Sequence, residues 1–370
     1  MPKTTVLSLW LVMLLAGCQT ALAATDAPVT PLPTAIPMPT ATTELTATSL
    51  PPTGTPIPAA APVVRQTTFD VPETGSRFAN LTVDALTARH YGGSGIVLGE
   101  TIRIDPRGYT QYAMSFESDG LRVTGLINIP AGDGPFPVAI CNHGYRHPSE
   151  YEPGFDSWRM ADWLAERNYI AIMPDFRNYG DSDTGPNPFR IGYAVDLMNL
   201  VAQLDSLPTA APEQVGIMGH SMGGEVAMWP MVISEEVDAI VLYASMSGDV
   251  ARNWHHRWYY WAVQRDAMEA VARVYGHPDD HPEAYTLISP ITYLDRVRMP
   301  VHIHHGRMDP LVPFWWAEEL HDLLVAEGKD VRLFDYGGEA HGFTEPGFQH
   351  MMGETLILFD EHVRGNTTTP

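Results

Sequence analysis

Hydrophobic and polar residues follow two different periods along this chain. Tyr109–Glu117 and Leu121–Ile129 alternate apolar with polar positions, and Ser-Asp-Gly joins them, the pattern of an antiparallel hairpin. From residue 136 the apolar positions come instead in short unbroken runs: FPVAICN (136–142), YIAIMPD (169–175), VGIMG (215–219), AIVLYAS (239–245), PVHIHHG (300–306) and VRLFDYG (331–337). A run without polar alternation suits a strand buried on both faces. Helical spacing separates the runs at 156–168, 192–207, after 221, and at 314–328 and 349–364. This alternation predicts an α/β fold, a mostly parallel sheet with helices on both faces, and the hairpin adds antiparallel strands at one edge. The long connection between the runs at 239–245 and 300–306 predicts a helical cap insertion over about 248–290.

The first 65 residues lack both periods. Lys3 precedes the apolar run Val6–Ala16, which has the length of a signal-peptide core and is short for a membrane span. Leu15-Ala16-Gly17-Cys18 resembles the bacterial lipoprotein box, which implies a signal peptide over 1–17, cleavage before Cys18 and lipid on its thiol. Residues 21–62 hold ten Pro, ten Thr and two acids, with no Lys, Arg or aromatic residue. Such a stretch buries too little apolar surface to offset its ordering entropy, so 18–65 is expected to be an extended, disordered tether. The folded domain is then expected over 66–366. It would sit outside the cytoplasm and touch a membrane only through the lipid.

The net charge of −22 excludes most nucleic-acid binders, since phosphate recognition needs clustered Lys and Arg. With Cys18 lipidated, Cys141 is the only remaining thiol, so the mature chain forms no internal disulfide. Cys141 falls inside a buried run and reads as an inert small hydrophobe.

Parallel sheets bind ligands beyond the carboxyl ends of their strands. Five polar clusters fall there: NHGYRH (142–147), DFRNYGDSD (175–183), GHSMGG (219–224), GRMDPLVP (306–313) and GGEAHGF (337–343). Gly219, Ser221 and Gly223 fit G-x-S-x-G between a strand and a helix, which is the sequence of a nucleophile elbow. A serine needs a base, and the base needs an acid to fix its tautomer. Asp309 and His341 follow the next-to-last and last strands, so the order Ser221, Asp309, His341 supplies nucleophile, acid and base. Asp335 lies within a strand and Glu339 shares the loop of His341, so both are worse placed as the acid. Two N–H groups should hold the developing oxyanion: Met222, directly after the serine, and Tyr145, with Gly144 as its rival.

The segments NHGYRHP, GHSMGG, SPITYL, HHGRMDPLVP and HGF resemble the catalytic domain of the prolyl oligopeptidase family of α/β-hydrolases over roughly 109–365. The resemblance implies an α/β-hydrolase fold, Ser221, Asp309 and His341 as triad, and Tyr145 and Met222 as oxyanion amides. Peptidases of that family carry a β-propeller ahead of this domain, whereas here about 40 residues lie between tether and hairpin. The expected activity is therefore hydrolysis of small carboxylic esters through an acyl-enzyme, with cleavage of short peptides as the alternative. No cofactor or metal is expected. His302, His304 and His305 lie in a core strand without paired carboxylates, a poor metal site. Trp254, Trp258, Tyr259 and Trp261 of the cap are candidates for a substrate pocket.

Overall fold

The computed structural model describes residues 75–365. The expected signal peptide, the tether, Cys18 and the first residues of the folded domain lie outside the described residues.

Two short helices, α1 (Gly75–Phe78) and α2 (Val83–Thr87), precede a nine-stranded sheet. Its strands are β1 (Val97–Asp105), β2 (Tyr109–Ser118), β3 (Leu121–Pro130), β4 (Phe136–Asn142), β5 (Ile170–Pro174), β6 (Ala210–His220), β7 (Ala239–Tyr243), β8 (Val301–Gly306) and β9 (Val331–Tyr336). They lie in the order β1-β2-β3-β5-β4-β6-β7-β8-β9. Pairs from β1 to β3, and β3 with β5, are antiparallel; the rest are parallel. The hairpin and the six buried runs thus form strands where the hydrophobic pattern places them. β1 is an addition. Most of its residues are exposed, so selection for a buried face left no alternation to read.

Side chains from the two faces of the sheet enter separate cores. Ile140, Ile172 and Ile217 join α4 (Ile191–Val201) and α5 (Met222–Ile233) in one. Cys141, Ala171 and Met218 join α3 (Trp158–Ala165) and the last helix in the other. Each fully buried Ile or Leu contributes ~1.5–3 kcal/mol relative to exposure. Between β7 and β8 the chain forms the expected cap, α6 (Val250–Tyr260), α7 (Arg265–Tyr275) and α8 (Pro282–Leu287). The Asp249 side chain starts α6 by accepting the Arg252 amide at 3.0 Å. Helices α9 (Trp315–Ala326) and α10 (Glu345–His362) follow β8 and β9. Among the described residues, no helix is long and apolar enough to cross a membrane.

Candidate active site

β6 ends at His220 and α5 begins at Met222, so Ser221 alone makes the turn. Its backbone has φ 55° and ψ −112°, a conformation that costs about 1–3 kcal/mol and persists only where the surroundings enforce it. They do so here. The Ser221 amide donates to the Tyr243 carbonyl at 2.9 Å, and the Met246 amide donates to the Ser221 carbonyl at 3.1 Å. The motif's glycines have a steric origin: a Cβ on Gly219 would lie 2.1 Å from the Gly223 carbonyl oxygen, and one on Gly223 would lie 2.4 Å from that of Asn142. The turn also sets Ser221 at the N-terminus of α5, where the helix dipole favours negative charge.

His341 follows β9, and its Nδ1 bonds with Asp309 Oδ2 at 2.8 Å. The Asp309 carboxylate is fully buried, and its other oxygen accepts the amides of Leu311 and Val312 at 2.8 and 2.9 Å. His305 Nε2 adds a contact to Oδ2 at 3.1 Å. Burial alone would raise the pKa of Asp309, but the hydrogen bonds from His305 and His341 hold it well below the usual carboxylate range. Burial pushes the His341 pKa below its ordinary value and outweighs the opposing pull of Asp309. The described hydrogen bonds of His341 go to Asp309 and, at its carbonyl, to His220, and none joins its ring to Ser221. The His341 ring lies 4.7 Å, centroid to centroid, from that of His220, the residue before the serine. Asp335 pairs instead with Arg307, and Glu339 accepts the Thr344 amide at 2.7 Å.

The loop after β4 lies against the serine, since a Cβ on Gly144 would come 3.5 Å from Ser221 Cβ. The Gly144 amide already donates to Asp156 Oδ2 at 3.2 Å, which removes it as an oxyanion donor. The amides of Tyr145 and Met222 have no acceptor among the described residues. The buried His143 ring sits between the carbonyls of Gly144 and Asp175, at 2.7 and 3.1 Å, and fixes the loop.

A cavity of about 310 Å³ opens beside Tyr145. Trp254 lines it and donates from Nε1 to His277 Nε2 at 3.2 Å. Trp261 stacks on the Tyr145 ring at 6.3 Å. Trp258 is half-buried against the core beneath Arg265. Tyr259, at 74% exposure, faces solvent next to Tyr260, so it is not a wall of this cavity. Cys141 is buried, and burial pushes its thiol pKa up. His302 and His304 pack around Phe334 in the core.

Three site neighbours escaped sequence reasoning. His220, read only as part of the serine motif, faces Asp156 through Nδ1 and bonds to the His341 carbonyl through Nε2 at 2.9 Å. Arg190 pairs with Glu225 inside the molecule, and Arg257 lines the cavity with them nearby. The partners of His220 and Arg190 are distant in sequence, Arg257 bonds only to the Asn253 carbonyl one turn back, and no local pattern marks any of the three.

The model of the prolyl oligopeptidase family matches residues 153–364. Among curated proteins the chain is similar to the uncharacterized peptidase YuxL of Bacillus subtilis (strain 168), 24% identical over 270 residues that cover 68% of this chain and 38% of that one. Among solved structures it is similar to the acylaminoacyl peptidase of Pyrococcus horikoshii, with TM-score 0.54 and 19% identity over 69% of this chain and 42% of the other. It is also similar to acetyl xylan esterase 1 from a Thermoanaerobacterium species, with TM-score 0.56 and 15% identity over 76% of this chain and 93% of the other. The chain thus spans about two fifths of the length of the two peptidases.

Proposed function

Because the chain belongs to the prolyl oligopeptidase family and has the α/β-hydrolase fold, we propose that it is a serine hydrolase that cleaves carboxylic esters through an acyl-enzyme. One observation carries the reading. A serine in strained backbone is followed by one amide without an acceptor, Met222, and lies against the loop that carries another, Tyr145, while a histidine already bonded to a buried carboxylate packs on the residue before it. In the mechanism His341 Nε2 takes the Ser221 proton as Oγ attacks the carbonyl carbon. The two amides hold the oxyanion, and Asp309 stabilises the imidazolium. His341 then protonates the departing alcohol, and water releases the acid by the same steps in reverse.

The choice of ester over peptide rests on charge. No Asp or Glu lines the cavity beside Tyr145. Three carboxylates of the site's elements are engaged: Glu225 by Arg190, Asp156 by His220 and Asp309 by His341. A peptide's ammonium group finds no counter-charge there. An ester also asks less of remote binding energy, since its leaving group needs less help than an amine. The second reading, cleavage of short peptides, is supported by the family and by the two similar peptidases. Parallel assays on p-nitrophenyl esters and on aminoacyl and dipeptidyl anilides decide between them. kcat/KM on the esters should exceed that on the anilides by at least roughly 100-fold, a barrier difference of about 2.7 kcal/mol. Comparable rates would favour the peptidase.

A further inference from the structure

Arg257 is a cation enclosed by the cap with no anion to balance it. It lies in α6 at 7% exposure, and its Nε donates to the Asn253 carbonyl at 3.2 Å. Among the described residues its two terminal nitrogens have neither a hydrogen-bond acceptor nor a carboxylate partner. Burial and then repulsion from Arg190 push its pKa down to about 10. Arg190, equally buried, differs in having a partner: its Nη1 donates to Glu225 Oε2 at 2.5 Å. Both arginines line the cavity beside Tyr145.

Two cations and one carboxylate leave a single positive charge in a wall that adds the polar side chains His147, Asn187 and Gln264 to phenols and apolar groups such as Phe189, Trp254 and Met268, and no carboxylate of its own. The phenols cannot cancel it, because burial raises the pKa values of Tyr179 and Tyr193, the latter to about 12. A guanidinium at the wall of a largely buried cavity is poorly hydrated and gains from a counter-charge that enters the cavity. The Arg190–Glu225 pair on the cavity wall lies close to the serine: the Glu225 amide donates to the Ser221 carbonyl at 3.2 Å, one helical turn behind the nucleophile.

We propose that this cavity receives a free carboxylate of the substrate, and that the preferred substrates are monoesters of short dicarboxylic acids. One net positive charge matches one carboxylate, whereas a phosphate dianion would leave a surplus negative charge. The planar guanidinium fork of Arg257 also fits a carboxylate edge. A volume of about 310 Å³ suits a short diacid better than a peptide. The proposal rests on the serine-hydrolase reading for the bond that breaks, and its bookkeeping is unchanged: Oγ–acyl forms, acyl–alkoxy breaks, and the alcohol leaves with the proton from His341. The anion site itself stands on Arg257 and its surroundings.

The test compares phenyl hemiglutarate with phenyl valerate, which differ in a terminal carboxylate against a methyl group, and measures whether glutarate raises the Tm of the protein. The wild type should prefer the charged ester by at least tenfold in kcat/KM, and glutarate should raise its Tm. In Arg257→Met the charged-to-neutral ratio should fall at least tenfold and the glutarate shift should vanish, while Arg257→Lys should retain part of both. Cleavage of valerate without preference, and no shift with glutarate, would overturn the anion site and leave the hydrolase reading intact. A glutarate shift that depends on Arg257 with neither ester cleaved would keep the site and sink the hydrolase reading. Should Arg257→Met fail to fold, the wild-type ratio and the wild-type shift decide alone.

Discussion

His220 donates from Nε2 to the main-chain carbonyl of His341 at 2.9 Å, while its Nδ1 faces the Asp156 carboxylate that also accepts the Gly144 amide at 3.2 Å. One ring therefore ties the loop that presents His341 to the loop that presents the Tyr145 amide. Burial lowers the pKa of His220, but the charge and hydrogen bond of Asp156 prevail and raise it. Asp156 is held down to about 2 despite its own burial, chiefly by His220. The pair is a charged clamp.

The clamp gives stability a definite pH dependence. A histidine whose folded pKa is raised contributes fully below its unfolded value of about 6.5, and the contribution fades as pH rises through the raised value. Asp156 remains charged until pH falls towards about 2. His220→Gln should therefore lower Tm most at mildly acidic pH, and the difference from wild type should shrink above neutrality. Thermal denaturation across pH 5 to 9, in roughly unit steps, reads this directly. A difference that widens with pH would mean that His220 is neutral in the fold.

Activity should respond to His341 in the opposite sense. The base works only when neutral, and its pKa is lowered first by burial and further by the charge on His220. The acid limb of kcat/KM should have its midpoint below about 6.5. Removing the positive neighbour in His220→Gln should move that limb upward. A wild-type midpoint above the ordinary histidine range would contradict the burial account.

Ser221→Ala should fold, because alanine meets the same positive φ as serine, yet lose turnover on the order of a million-fold. A fluorophosphonate probe should label the wild type and leave the variant unlabelled. Persistent labelling would place the nucleophile elsewhere.

The elbow's steric demand can be separated from its chemistry. Gly223→Ala would set a methyl 2.4 Å from the Asn142 carbonyl oxygen, a backbone atom of β4 that cannot step aside. It should destabilise the fold by ~3–5 kcal/mol, as core overpacking with backbone strain does at its worst. Gly337→Ala, whose added methyl meets nothing within 4 Å, should change stability by less than ~0.5 kcal/mol. Urea denaturation of both variants checks the contrast, and equal losses would defeat the steric reading.

We propose the lipid anchor at Cys18 from the sequence alone, and it has its own test. Native protein from a bacterial host should need detergent for extraction, and Cys18→Ala should release it or leave its signal uncut. Native protein recovered free of lipid would end the lipoprotein proposal.

Much of this architecture was legible because burial writes different patterns on different strands. β4 to β8 run parallel, mostly buried on both faces, and so appear as unbroken apolar runs, whereas β9, at the sheet's edge, is only partly buried. β2 and β3 alternate because one face packs more deeply than the other. β1 is largely exposed and left no such record. Ser221, Asp309 and His341 could be picked out because each directly follows a readable strand, and the contact between Asp309 and His341 then follows from topology. Asp156–His220 and Arg190–Glu225 could not be found this way, since their members lie 64 and 35 residues apart and outside any motif that names both. Sequence favoured Tyr145 over its neighbour Gly144 but offered no contact to separate them. The Asp156 hydrogen bond that separates them comes from the turn before α3, twelve residues further on.

The order of strands in the sheet bears on how the chain is made. Ser221 leaves β6, in the middle, whereas His341 leaves β9, the outermost strand on its side, and β7 and β8 lie between. Synthesis proceeds from the N-terminus, and each segment emerges before the next. A nascent chain thus exposes its nucleophile and, later, its acid, but on the proposed mechanism it stays inert until the edge strand docks. A ribosome that stalls between residues 309 and 341 would release a hydrolase with a serine and no base. Catalytic activity would then report completion of the sheet, and recovery of turnover during refolding should lag behind the appearance of the central strands.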